Sequence, residues 1–155
     1  MLPIGFQRMA LCSVYPTESS RLIRREAMEW IGFVQPTVVC SRYKIRIEYV
    51  KGQNPKVFVL DPTLVCRGDF SFIPHMFDQK SLCLFRSRNR HWTPEMLITH
   101  TIVPWAKLWL YYYELWHAIG EWRGGGEHLT NSEQSSLIRN REKLAKKRRH
   151  IRTGG

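Results

Sequence analysis

The stretch from Tyr43 to Tyr49, which reads Tyr-Lys-Ile-Arg-Ile-Glu-Tyr, decides the fold class because apolar and charged residues alternate along it. A period of two is typical of a β-strand with one buried and one solvated face. The turn sequence Gly52-Gln53-Asn54-Pro55 follows, and the apolar run Lys56–Leu60 comes next and stops at Asp61-Pro62. The two runs and the turn predict an antiparallel hairpin, most simply extended as a β-meander.

Two helices are predicted on either side of this hairpin. Residues 21–31 carry apolar side chains at three-to-four spacing after the cap residues 17–20, and Gly32 ends the pattern. The second helix begins at Thr93-Pro94-Glu95, which places Thr at the cap and Pro in the first turn. It continues through the aromatic run 96–116, which Pro104 should kink or split.

The aromatic run is predicted to be a buried helix and not a membrane span. Lys107 and Glu114 interrupt it, and charged side chains are costly in hydrocarbon. Trp92, Trp105 and Trp109 stand beside aliphatic residues at helical spacing, which favours a place in the core over a cofactor or base-stacking box.

Length and composition indicate one globular domain with a basic appendage. The 155 residues are 43% hydrophobic and 12% aromatic, which excludes a disordered chain. The net charge is +11, and residues 139–152, with eight Lys or Arg and only Glu142 as an acid, account for +7 of it. We therefore divide the chain into a domain at 1–126 and a polar linker with a basic tail at 127–155. Such a tail contacts a protein partner or nucleic acid, or is merely a solvated segment.

The four cysteines, Cys12, Cys40, Cys66 and Cys83, form no CxxC pair and fit no zinc template. Neither a disulfide framework nor a metal site is predicted, and the chain lacks a secretory signal, so a reducing cytoplasm is expected. No Gly-rich phosphate loop is present, and no cofactor is expected. Apolar neighbours predict packing roles for Cys12, Cys40 and Cys66. The neighbours of Cys83 look equally apolar, so composition leaves the four thiols equivalent.

An ordered set of motifs separates Cys83 from the other three. Pro74-His75, Leu82-Cys83-Leu84 and Trp92-Thr93-Pro94 follow one another at spacings that resemble the active-site region of ubiquitin-conjugating enzymes. The resemblance spans residues 18–122 and is closer still to the divergent bacterial branch found in CBASS antiphage islands. The motifs that carry it are His75-Met76-Phe77, Leu82-Cys83-Leu84, Trp92-Thr93-Pro94, Pro104-Trp105, Trp109-Leu110, Tyr113-Glu114, Trp116 and Gly120-Glu121-Trp122.

This resemblance implies an α+β, ubiquitin-conjugating-enzyme-like fold and a cysteine acyl transferase. Cys83 would accept the C-terminus of a cGAS-like nucleotidyltransferase as a thioester and pass it to an amine, regulating cyclic-nucleotide antiphage signalling. The chain encodes no adenylating domain, so a separate activating enzyme, a fusion or a direct exchange would supply the acyl group.

The active site implied by the resemblance departs from the family at one point. The His-Pro-Asn motif is missing, so His75 or a backbone N–H would replace the Asn near the thioester oxyanion, or a partner would assist. His75 is thus either an active-site residue or a structural, hydrogen-bonded histidine. The cations Lys80, Arg86, Arg88 and Arg90 either favour the Cys83 thiolate or keep an exposed loop soluble.

Two other classes of protein remain open at this stage. One is a non-catalytic adaptor with the same fold, in which Cys83 is buried and replaceable while the basic tail binds the nucleotidyltransferase or nucleic acid. The other is a plain nucleic-acid-binding module, which the overall charge favours and the nearly balanced body of the protein does not.

Overall fold

The computed structural model describes residues 1–68, 70–85 and 92–124, and in them a helix precedes an antiparallel sheet and a second helix follows it. The elements are α1 (Ile4–Val14), β1 (Thr17–Ile23), β2 (Ala27–Val34), β3 (Tyr43–Val50), β4 (Lys56–Asp61), β5 (Met76–Phe77), β6 (Ser81–Leu82), a 3₁₀ turn (Ile98–His100) and α2 (Ile102–Ile119). The predicted α+β class is confirmed.

The four long strands form a meander in the order β1-β2-β3-β4 with every neighbouring pair antiparallel. The predicted β3–β4 hairpin is confirmed, and Gly52 takes a positive φ of 78° in its turn. Along β3, Tyr43, Ile45, Ile47 and Tyr49 are all buried, and the charged residues between them face outward. The buried face joins side chains of α1 and α2 in one apolar core.

The predicted helix at 21–31 is wrong, because this segment forms the end of β1, a tight turn and the start of β2. Arg24 and Arg25 have φ of 48° and 60°, and the N–H of Glu26 donates to the carbonyl of Ile23 at 3.0 Å. β2 pairs with β3 along its whole length, and Trp30 on its inner face is completely buried in the core. The apolar residues here fit both periods, and burial against the neighbouring strand outweighs the weak helical preference.

The N-terminal helix lies earlier in the chain than predicted, at Ile4–Val14. Ile4, Gln7 and Leu11 are its buried residues, on one face at helical spacing. The Gln7 side chain is fully buried, and its Nε2 donates to the carbonyl of Met96 at 2.8 Å. Its Oε1 accepts the N–H of Ile98 at 2.9 Å. One glutamine therefore joins α1 to the segment that leads into α2.

Replacing Gln7 with Leu is expected to lower the free energy of unfolding by about 2–3 kcal/mol, because the Ile98 N–H is left buried without an acceptor. Urea denaturation followed by tryptophan fluorescence measures the loss. Gln53→Leu, at an exposed turn position, is the control and should change the free energy by less than about 0.5 kcal/mol. Equal stability of the two variants would contradict a structural role for Gln7.

The aromatic helix α2 begins at Ile102, so the prediction that it starts after Thr93 is wrong. Thr93 instead accepts a turn hydrogen bond from the N–H of Met96 at 2.9 Å. Pro104 lies in the first turn of α2, where a backbone N–H makes no hydrogen bond within the helix. Proline therefore costs no helical hydrogen bond there, and the helix begins near Pro104 instead of kinking at it. Gly120, with φ 80°, ends it. No helix within the described ranges combines the length and apolarity needed to cross a bilayer.

Candidate active site

A two-stranded hairpin, β5–β6, carries the chain to Cys83. Asp78 and Gln79 form its turn with φ of 49° and 53°, and the N–H of Lys80 donates to the carbonyl of Phe77 at 2.9 Å. Two consecutive residues with positive φ are the signature of a type I′ turn, whose twist suits antiparallel strands. Asp tolerates this conformation, whereas Gln needs compensating contacts.

Those contacts come from the Gln79 side chain, which bonds both backbone groups of Ile73. The N–H of Ile73 donates to Oε1 at 2.6 Å, and Nε2 donates to the carbonyl of Ile73 at 2.9 Å. The side-chain amide of Gln79 thus makes the two hydrogen bonds that the backbone of a neighbouring strand would make with Ile73. The turn of the hairpin is thereby attached to the chain that precedes β5.

Backbone hydrogen bonds hold Cys83 directly after β6. Its N–H donates to the carbonyl of His75 at 3.0 Å, and the indole Nε1 of Trp109 donates to the same oxygen at 2.8 Å. Both lone pairs of this carbonyl therefore have donors. Because Trp109 is buried on α2, the position of Cys83 depends on the packing of that helix.

The His75 ring lies against the indole of Trp122, with centroids 5.0 Å apart and planes inclined by 33°. Trp122 in turn packs on Trp109 at 5.2 Å. The backbone of His75 has a positive φ of 54°, which is uncommon for a residue other than Gly. A backbone hydrogen bond thus joins His75 to Cys83. The imidazole packs against Trp122, which in turn packs against Trp109.

Burial raises the pKa of the Cys83 thiol above its ordinary value, because the half-buried site disfavours the charged thiolate. The described surroundings therefore favour the neutral thiol at pH 7. Lys80, one of the predicted activating cations, is exposed. The other three, Arg86, Arg88 and Arg90, lie outside the described residues.

One known family matches the chain over a range that includes His75 and Cys83. The family model described as "Type II CBASS E2 protein" matches residues 7–129. The chain belongs to this family. No curated protein matches it. The matched range contains the whole sheet, the β5–β6 hairpin with Cys83, and α2, so the architecture described above is that of a CBASS E2 protein.

The remaining thiols of this CBASS E2 protein differ in their surroundings. The predicted packing role is confirmed for Cys40, which is buried and accepts a hydrogen bond from Thr37 Oγ1 at 3.1 Å. It is wrong for Cys12 and Cys66, which are exposed. Cys12 lies on α1 away from the buried face, and Cys66 lies in irregular chain, so their apolar sequence neighbours do not enclose them.

Gln79, Trp109 and Trp122 position the segment of the CBASS E2 protein that contains His75 and Cys83, and the sequence did not predict these roles. The predicted core placement of Trp92 and Trp109 is confirmed, while Trp105 is partly buried. A core tryptophan also carries an N–H that needs an acceptor when buried, and this requirement was the signal that Trp109 has a second role. Within the described part of the chain, no cluster of three His, Cys, Asp or Glu residues is arranged to hold a metal.

The rate of Cys83 alkylation is expected to rise about tenfold per pH unit from pH 6 to pH 8, because only the thiolate reacts and its pKa is raised. Iodoacetamide labelling, localised by mass spectrometry in a Cys12→Ser, Cys66→Ser variant, measures this rate. A plateau below pH 8 would indicate a lowered pKa and contradict the prediction.

Proposed function

We propose that Cys83 is the thioester-forming nucleophile of this CBASS E2 protein. The observation that supports it is the double anchoring of the His75 carbonyl by the Cys83 N–H and the Trp109 indole. These two hydrogen bonds hold the backbone of His75 next to Cys83, whose half-buried thiol follows the β5–β6 hairpin. The sequence motifs that contain His75 and Cys83 point to the same segment independently. A carrier needs a thiol held in a constant position, since the incoming acyl group and amine must both reach it.

The proposed reaction has two steps. The Cys83 thiolate attacks an activated acyl group, a new thioester bond forms, and the leaving group departs with its electron pair. A deprotonated amine then attacks that thioester, an amide bond forms, and the Cys83 thiolate is released. The first step consumes an acyl group that a separate activating enzyme supplies.

The acyl donor we propose is the C-terminal carboxyl group of a cGAS-like nucleotidyltransferase, and the consequence is regulation of cyclic-nucleotide signalling in the cytoplasm during antiphage defence. Membership in the CBASS E2 family supports this choice. His75 is the second proposed active-site residue and stands in for the Asn that ubiquitin-conjugating enzymes use near the thioester oxyanion. The contact of its ring with Trp122 supports a constrained imidazole.

The test combines the protein with a cGAS-like nucleotidyltransferase and an activating enzyme, followed by non-reducing gels. We expect a conjugate that disappears on treatment with excess thiol and does not form with Cys83→Ala. His75→Ala should slow its formation about tenfold or more, by analogy with the loss of one oxyanion donor. Absence of any Cys83-dependent adduct would overturn the carrier proposal.

A second candidate function is that of a non-catalytic adaptor. The burial that raises the Cys83 pKa favours it, because a desolvated thiol is a poor nucleophile. In this case Cys83→Ala binds the nucleotidyltransferase as tightly as the unaltered protein, and neither forms a conjugate. Binding measured in parallel with the gel assay separates the two functions.

The predicted domain at 1–126 and the basic tail at 127–155 stay a proposal, since the tail lies outside the described residues. We propose that the tail docks the nucleotidyltransferase or its nucleic acid by charge. Deleting residues 131–155 should then weaken binding most at low salt. Unchanged affinity at every salt concentration would contradict this role.

A further inference from the structure

A groove lies on the β4 side of the β5–β6 hairpin and encloses about 380 Å³. The turn after β3 forms one wall. Ser81 and Leu82 of β6 and the following Phe85 contribute to the other, so residues on both sides of Cys83 in the chain line this groove. Cys83 therefore adjoins the groove along the chain, through Leu82, which lines it.

The groove has an aromatic interior. Phe58, Phe77 and Phe85 line it, and Phe77 is 49% exposed. Large apolar side chains left accessible in a concave site are a feature of ligand grooves. The interior therefore suits an apolar or aromatic side chain of a bound peptide.

The rim of the groove carries two lysines that differ from Lys44 and Lys51 of the sheet. Lys44 bonds Glu18 at 2.7 Å, and Lys51 bonds Glu26 at 3.4 Å. Lys56 and Lys80 line the groove, are exposed, and form no ion pair with a described carboxylate. Among the described residues that line the groove, Asp78 is the single acid, so lysines outnumber acids in this described lining.

We infer that this groove binds an acidic, extended segment of the acyl donor that carries an apolar or aromatic side chain. The inference rests on the proposed function of Cys83 and specifies the class of donor. Lysines without a carboxylate partner among the described residues attract carboxylates and repel a lysine-bearing acceptor, so charge complementarity assigns the groove to the donor. The aromatic interior adds affinity, and the lysines select the sequence.

Binding without chemistry tests this inference first. Fluorescein-labelled synthetic peptides, one containing Phe flanked by Asp and Glu and one with Asn and Gln in their place, are titrated by anisotropy into the full-length Cys83→Ala protein. We expect the acidic peptide to bind about tenfold more tightly, the effect of two ion pairs of moderate strength. The preference should fall as salt is raised.

Matched variants locate the site. Lys56→Glu combined with Lys80→Glu should remove or reverse the preference for the acidic peptide. Phe77→Ala should lower the affinity for both peptides. Lys107→Glu, which changes the charge by as much as either groove substitution made singly and lies on α2 outside the groove, should leave the preference intact, whereas Lys56→Glu or Lys80→Glu alone should reduce it. Equal affinity of the two peptides, or an equal effect of Lys107→Glu and the groove variants, would overturn the inference.

The rate at which Cys83 is acylated by a peptide thioester shows which of two proposals fails, that the groove binds the donor or that Cys83 is the thioester carrier. The same peptides, prepared as C-terminal thioesters, exchange their acyl group onto Cys83 and release the small thiol. Faster loading by the acidic peptide supports both proposals. Equal loading overturns the groove alone, whereas no loading by either peptide overturns the carrier proposal even if the acidic peptide binds.

Discussion

Cys83→Ala is expected to abolish loading by a peptide thioester, whereas Cys12→Ala and Cys66→Ala load at the normal rate. The two control thiols are exposed and Cys83 is half-buried. Chemistry governed by accessibility alone would therefore favour Cys12 and Cys66. Intact-protein mass spectrometry of each variant after incubation with the thioester measures the mass added, and peptide mapping locates it.

This prediction follows if the position of a thiol, and not its exposure to solvent, decides which cysteine reacts. We propose that the backbone bond from Cys83 to His75 fixes the position of the thiol, and that the groove lined by Leu82 holds an extended acyl chain next to it. Local positioning then offsets the raised pKa, because a held donor reacts as if at high effective concentration. Loss of the Sγ atom removes the nucleophile and should lower the free energy of unfolding by no more than about 1 kcal/mol.

Cys83→Ser separates a chemical role from a structural one. Serine keeps the shape of the side chain, so an adduct formed slowly through oxygen should resist excess thiol, while the Cys83 adduct is cleaved by it. Persistence of the full thiol-sensitive adduct in Cys83→Ala would contradict the assignment of this residue. Its relocation to Cys66 or Cys12 would identify the actual nucleophile.

Trp109→Ala is expected to lower the free energy of unfolding by about 3–5 kcal/mol, the usual cost of deleting a buried tryptophan. Trp109 is 5% exposed and contacts Tyr113 and Trp122, so its removal opens a cavity between α2 and the segment that contains His75 and Cys83. The loading rate of Cys83 should fall in the protein that remains folded. Urea denaturation and single-turnover loading measure the two effects.

Trp109→Phe tests the hydrogen bond by itself. The aromatic ring remains, and the His75 carbonyl keeps the Cys83 N–H but loses the indole donor. We expect a loss of stability of about 1–2 kcal/mol and a several-fold fall in loading. Trp116→Phe, another buried tryptophan of α2, should lower stability similarly without changing loading of the folded protein. Equal loading by the two variants would contradict a positioning role for Trp109.

The sequence and the structure agree where one pattern permits one interpretation. The alternation in β3 has no helical alternative, and its hairpin with β4 is present as predicted. The ordered motifs from His75 to Pro94 indicated the family that the match over residues 7–129 establishes. These features depend on local periodicity and on the order of motifs, both of which are visible along the chain.

The helix predicted at 21–31 and the missed α1 show where local patterns are insufficient. Leu22, Ala27 and Trp30 fit either a helix or two strands, and pairing with β3 decides for strands. The α1 segment presents only Ile4, Gln7 and Leu11 to the core. A buried Gln in that set obscures the apolar stripe, and its partners are 89 and 91 residues away.

The sequence by itself determined the α+β class and the β3–β4 hairpin, and its resemblance to ubiquitin-conjugating enzymes led to the prediction of Cys83 among the four thiols. Tertiary structure alone decided that Cys83 is half-buried with a raised pKa, that Trp109 and Gln79 hold its hairpin, and that Lys56 and Lys80 meet at one groove. The reason is physical. Burial, a shared carbonyl acceptor and the convergence of charges depend on segments distant in the chain, and periodicity carries no information about such contacts.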